Sequence, residues 1–247
     1  MTLRSQWPDS DSHGMGKHQQ ESPHLPFSVC TLPVPAKQSG LAYPALNQLN
    51  AWVCRLMYGV MPFKDSPVPS EGPALIVCDH TSLGDPLVLL ATAGRPVRFL
   101  MAEEIYSHAL IRWVFEAFCC IPVQRGRRDI KAIRTMLDGL AANEVIGLFP
   151  EGGLDKNRLD EGHPGIGYLA IKSGAPVIPA SIVWEGPHST TSMVQTLFIP
   201  SKALIQYGEP LHFPQESKPN KDSMQSCTKE IMKQIETLRE SILLGVS

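Results

Sequence analysis

The segment Asp79-His80-Thr81-Ser82-Leu83-Gly84-Asp85 places an imidazole and a carboxylate five positions apart across a glycine-containing turn. A chain that folds back there brings the carboxylate to one ring nitrogen. An imidazole held through Nδ1 has its tautomer fixed and its imidazolium form stabilised, and Nε2 can then take a proton from a hydroxyl. That is general-base chemistry. A plainer reading is also open, in which Asp85 only caps a helix that begins at Pro86. Two rival chemistries lack parts. No G-x-S-x-G nucleophile turn occurs, and although Asp79, His80 and Asp85 could supply zinc ligands, no H-E-x-x-H accompanies them. Base catalysis without a covalent enzyme intermediate needs the fewest missing parts.

Two further polar clusters bear on the same chemistry. In Phe149-Pro150-Glu151-Gly152-Gly153, the successive glycines let backbone N–H groups approach an anion closely. Glu151 is expected there to bind a hydroxyl or hold a neighbouring arginine, the alternative being an ordinary glycine-rich surface turn. The other cluster is basic: Arg125, Arg127, Arg128, Lys131 and Arg134 crowd the start of a helix. The helix dipole disfavours cations at that end, and a phosphate would resolve the conflict. A solvated basic patch is the plainer reading of Arg127 and Arg128.

The elements that must position these groups follow from periodicity. Apolar runs at Ala74–Cys78, Val97–Met101, Val145–Phe149, Pro176–Val183 and Ala203–Tyr207 read as strands. Helical spacing marks Asp85–Ala93, Glu103–Phe118, Asp129–Ala142 with Ile130, Ile133, Leu137 and Leu140 on one face, Pro164–Lys172, and a closing helix from Met224 to Ile242. Strands alternating with helices predict a single α/β domain over residues 70–247, with a mostly parallel central sheet flanked by helices. In such sheets functional groups gather beyond the carboxyl ends of strands, where all three clusters fall. Residues 41–69 read as an amphipathic helix and linker, with Leu46, Leu49, Val53, Leu56 or Met57, and Val60 on one stripe. That helix either covers the core or, with Trp52 and Tyr58, meets a membrane surface. Residues 1–40, rich in Pro, Ser and Gln, read as a disordered leader without a secretory signal.

Taken together, the clusters resemble the glycerolipid acyltransferase family typified by 1-acyl-sn-glycerol-3-phosphate acyltransferase. His80, Ser82 and Asp85 match its N-H-x-S-x-x-D motif, with Asp79 in place of Asn. Ile121-Pro122-Val123-Gln124-Arg125-Gly126 looks like its apolar strand ending in Arg. Phe149-Pro150-Glu151-Gly152 matches F-P-E-G-T-R, with Gly153 and Leu154 where Thr and Arg are usual, and Val177-Ile178-Pro179-Ala180 matches the fourth motif. The resemblance runs in order over residues 72–212. It implies transfer of a fatty acyl group from acyl-CoA or acyl-carrier protein to a lysophospholipid hydroxyl, with these donors as substrates and no cofactor or metal. It further implies His80 and Asp85 as the catalytic pair, and Ser82, Arg125, Glu151, Gly152 and Gly153 as substrate-binding residues. Arg158 or Lys156 would replace the arginine missing at Leu154, or the acceptor carries another head group, such as that of a lyso-aminolipid. A non-catalytic lipid- or acyl-carrier-binding protein is the rival from a different class.

Composition limits the partners. Among 247 residues, 43% are hydrophobic and 19% charged, with 22 Lys+Arg against 24 Asp+Glu and a sequence pI near 6.4. A near-neutral chain has no excess positive charge for nucleic acid. Six cysteines without a C-x-x-C pair read as reduced, mostly buried thiols. No apolar stretch reaches the roughly 18 residues of a spanning helix. A lipid-modifying protein of this kind is expected in the cytoplasm, peripheral on the inner face of a membrane.

Overall fold

A computed structural model describes residues 42–60, 68–106, 112–124, 129–150, 165–186 and 199–246, all of which fall in one compact unit. The strands are β1 (Ala74–Cys78), β2 (Val97–Ala102), β3 (Ile121–Val123), β4 (Val145–Leu148), β5 (Val177–Glu185) and β6 (Lys202–Tyr207). They form one six-stranded sheet in the order β3-β2-β4-β1-β5-β6. Every pairing is parallel except β5 with β6. The helices are α1 (Ala42–Tyr58), α2 (Asp85–Thr92), α3 (Glu103–Tyr106), α4 (Arg112–Ala117), α5 (Ile130–Ala141), α6 (Gly165–Ser173) and α7 (Lys221–Val246). This is the expected α/β architecture. The helix expected over Glu103–Phe118 is described only at its ends, α3 and α4; its second half stops where Cys119 adopts a left-handed φ of 52°.

The two faces of the sheet build two cores, because successive strand residues point to opposite sides. Ile76, Cys78, Phe99, Ile178, Ala180 and Ile182 pack with α1 and α2 on one face. Leu75, Val77, Ile146, Leu148 and Val177 pack with α5, α6 and α7 on the other. β1 lies between β4 and β5 and is buried along its whole length, so the chain leaving Cys78 emerges at the centre of the carboxyl edge.

Two expectations about helices need correction. α1 is not one-sided: Tyr43, Asn50, Cys54 and Tyr58 are buried, while Leu49, Trp52, Val53 and Leu56 are exposed. The expected stripe divides between the two sides, with Leu46 and Met57 packed against the core and Val60 buried. On α5, Ile133, Leu137 and Leu140 pack on the core as expected, together with Ala132, Met136 and Gly139, but Ile130 is exposed. The cause is the register set by its start: Asp129 caps the helix by accepting the Ala132 N–H at 3.0 Å, which turns Ile130 outward.

The opposite, amino edge of the sheet is held by ionic contacts. Arg98 of β2 donates to Glu144 Oε2 at 2.6 Å and through Nε to the Cys119 carbonyl at 2.9 Å. Both side chains are nearly excluded from water, at 3% and 5% exposure, and Glu144 Oε1 has no protein partner. Arg98→Met would therefore strand a buried carboxylate. It is expected to lower the unfolding free energy by about 3–5 kcal/mol, read from urea denaturation; a loss below about 1 kcal/mol would show that the pair is not what holds this edge.

Candidate active site

The turn after β1 folds around one carboxylate. Asp85 is wholly buried, yet both of its oxygens are satisfied. Oδ2 accepts from the Thr81 and Ser82 backbone N–H groups, each at 2.8 Å, and lies 2.9 Å from His80 Nδ1. Oδ1 accepts from Trp184 Nε1, at the far end of β5, at 2.7 Å. A buried carboxylate that accepts several N–H groups is held in place. With His80 Nδ1–H donating to it, the ring lone pair is at Nε2, as a general base requires.

The capping reading fails on this geometry. The residue before α2 is Gly84, with no side-chain cap, and Asp85 reaches back to N–H groups ahead of the helix. Nor does Gly84 serve as a bend: its φ of −74° and ψ of −20° are open to any residue. Its reason is proximity, since a Cβ there would lie 2.7 Å from the Trp184 ring. Ser82, expected to bind substrate, is buried, and its Oγ accepts the Gly84 N–H at 3.0 Å. It shapes the turn.

His80 is 12% exposed and stacks on Phe149, with ring centroids 4.0 Å apart and planes at 21°. Phe149 stacks in turn on Phe99 at 5.6 Å. Phe149 follows β4, so the third motif contacts the first through an aromatic stack. The remaining site residues, Arg125, Glu151, Gly152, Gly153 and Arg158, lie outside the described residues, as do Arg127, Arg128, Leu154 and Lys156. Of the basic cluster, Lys131 and Arg134 are described and are exposed on α5. The carboxylate of Asp129 at the start of that helix already supplies one anion to it.

Asp79 turns the other way. Its Oδ1 accepts the Ile182 N–H at 3.0 Å, and its Oδ2 accepts from Ser181 Oγ and from Arg239 Nη1 of α7, both at 3.2 Å. The side chain thus extends the β1–β5 ladder by one bond and ties α7 to the root of the turn. Pointing away from His80's partner, it does not join His80 and Asp85 as a metal ligand, and among the described residues no group of three such side chains is poised to hold a metal. Burial pushes the Asp79 carboxyl above the usual carboxylate range, and Asp85 nearby adds to this, outweighing the Ile182, Arg239 and Ser181 contacts. Burial likewise pushes the Cys54, Cys120 and Cys227 thiols up to about 12, so none is a ready nucleophile. The cysteines of the described residues are unbridged and buried.

Spacing identified His80 and Asp85; it could not identify Trp184 or Arg239, which lie 99 and 160 positions from their partners. The one signal available for Trp184 is parity. It falls on the same strand face as Ile178, Ala180 and Ile182, the face on which His80 sits.

A family model described as Acyltransferase matches residues 63–183. A 1-acyl-sn-glycerol-3-phosphate acyltransferase of Bacillus subtilis is 24% identical over 195 residues, covering 77% of this chain and 93% of that protein. A probable 1-acyl-sn-glycerol-3-phosphate acyltransferase of Mycoplasma genitalium is 29% identical over 143 residues, 55% of this chain and 53% of that protein. Among solved structures, the 1-acyl-sn-glycerophosphate acyltransferase PlsC of Thermotoga maritima shares the fold, with a TM-score of 0.57 at 19% identity over 79% of each chain.

The raised Asp79 has a consequence for stability. Between the ordinary carboxylate range and higher pH, the native state binds more protons than the unfolded chain, so this residue makes stability fall as pH rises. Asp79→Asn keeps an acceptor for the Ile182 N–H and removes that titration. The stability of wild type relative to Asp79→Asn, from urea unfolding between pH 4 and 8, is therefore expected to decline with rising pH. A difference that increases with pH would mean that Arg239, not burial, governs the group.

Proposed function

The chain belongs to the acyltransferase family, and from that premise we propose that it acylates the free hydroxyl of a lysophospholipid, namely 1-acyl-sn-glycerol-3-phosphate, giving phosphatidic acid. The observation that carries this reading is the His80–Asp85 pair, 2.9 Å apart around a wholly buried carboxylate. The donor is a thioester, acyl-CoA or acyl-carrier protein, and no cofactor takes part.

The hydroxyl oxygen attacks the thioester carbonyl directly. His80 Nε2 takes the hydroxyl proton as the C–O bond forms, and the proton passes to the departing thiolate as the C–S bond breaks. Asp85 holds the ring and stabilises the imidazolium between these transfers. The N–H groups of Thr81, Ser82, Gly84 and Asp85 are already bonded within the turn and are not available to the oxyanion. Gly152 and Gly153 are the candidates for donating to it. Arg125, with the Glu151 turn and Arg158, holds the acceptor's phosphate. The Leu154 substitution supports a second reading, an acceptor with another head group, such as a lyso-aminolipid; parallel assays of the two acceptors separate them.

A lipid acceptor has to be met at a bilayer. No helix among the described residues is long and apolar enough to cross a membrane. The exposed stripe of α1 instead offers an interfacial contact. Leu56 is 83% exposed and Trp52 66%, and the Arg55 guanidinium lies over the Trp52 ring, an apolar surface with an adjacent cation. α4, which touches α1, adds exposed Trp113. The proposed location is cytoplasmic, on the inner face of a membrane.

His80→Ala is expected to lower kcat for acyl transfer by about 10²–10⁴-fold with an unchanged thermal midpoint; near-normal thiol release would sink the mechanism. Replacing Trp52 and Leu56 together by serine is expected to abolish co-sedimentation with phospholipid vesicles without altering unfolding. Retained sedimentation would remove α1 from the membrane contact.

A further inference from the structure

We infer that Trp184 is a positioning residue for acyl transfer: its indole N–H fixes the Asp85 carboxylate, and through it the His80 ring. The inference rests on the proposed role of the His80–Asp85 pair.

Asp85 Oδ2 is occupied by three donors of its own turn, His80, Thr81 and Ser82. These lie within five residues of Asp85, so they orient the carboxylate relative to the turn alone. Trp184 Nε1, on Oδ1 at 2.7 Å, joins it to the sheet. A carboxylate with one oxygen satisfied and the other buried without a donor would rotate or draw in a proton, and either change disturbs the imidazole bonded to it. The indole is itself located on two sides. The wholly buried Tyr58 at the end of α1 meets it edge-on, with centroids 5.0 Å apart and planes at 89°. Opposite, the missing Cβ of Gly84 makes room for its six-membered ring. Asp79, on the neighbouring strand end, faces the opposite core and is tied to Arg239.

Ring shape and hydrogen bond can be separated. Trp184→Phe and Trp184→His both lose the fused benzo ring that lies against Gly84, but only histidine can present an N–H at the ring position corresponding to Nε1. In a thiol-release assay with palmitoyl-CoA and lysophosphatidate, Trp184→Phe is expected to lose about 10- to 100-fold in kcat with KM for both substrates unchanged. Trp184→His is expected to recover most of it. The proton shared by His80 Nδ1 and Asp85, read as a downfield line in the NMR spectrum of the full chain, should shift or vanish in the phenylalanine variant and persist in the histidine variant. Equal losses in the two folded variants, or a phenylalanine variant with wild-type kcat and an unmoved line, overturn the inference. If the phenylalanine variant does not fold, the histidine variant decides: folded with the line present supports it, folded without the line refutes it. The line reports on Trp184 even if lysophosphatidate proves not to be an acceptor, so failure of the functional reading and of this one are distinguishable.

Discussion

A carboxylate with no exposure to water is the constraint on which the rest of this site depends. An isolated ion so buried would cost many kcal/mol or take up a proton. Asp85 is not isolated: donors converge on it from the turn after β1 and from the end of β5. Each donor fixes something else. The Thr81 and Ser82 N–H groups fix the path of the turn, His80 acquires its tautomer, and Trp184 sets how near β5 must stand to the start of α2. Gly84 then follows as a packing necessity, because only a residue without Cβ leaves room for the indole.

The sheet brings these donors together. With β1 between β4 and β5, the turn leaving β1 has one neighbour carrying Phe149 and another carrying Trp184. The alternation of side chains separates two acidic residues that sequence places close together. Asp79 points into the core under α7 and completes the ladder to Ile182, while His80 and Asp85 occupy the face beneath α1 and α2. The carboxylate that stands where the resembling family has asparagine is thus a strut between β5 and α7, and it does not act on the imidazole directly.

Much of this was legible in the sequence, and the exceptions share a cause. Alternating apolar runs and helical stripes gave the α/β layout, and the spacing of His80 and Asp85 gave their hydrogen-bonded pairing, because both signals are local. Trp184 and Arg239 were not legible, since their partners are distant in sequence and only strand parity, for Trp184, hints at the contact. Gly84 was visible but misread: a glycine in a polar turn suggests a bend, whereas its backbone is ordinary and its neighbour is the constraint. α1 was read as a choice between covering the core and facing outward. Its apolar residues are numerous enough to do both, with Cys54 and Tyr58 inward and Trp52 and Leu56 outward. Arg125, Glu151, Gly152, Gly153 and Arg158, which the motif resemblance assigns to phosphate, fall outside the described segments.

The proposed chemistry is direct transfer. Ser82 is built into the turn, and burial makes the Cys54, Cys120 and Cys227 thiols poor nucleophiles. In the proposed mechanism the oriented imidazole activates the acceptor hydroxyl itself. The measurement that bears on this most directly is thiol release from acyl-CoA with lysophosphatidate, compared between the wild-type chain and Asp85→Asn. That substitution keeps the size of the side chain and removes the charge that holds the ring. A fall of about 100-fold or more in kcat, with cooperative unfolding retained, is the result this account predicts; turnover close to that of the wild type would contradict it.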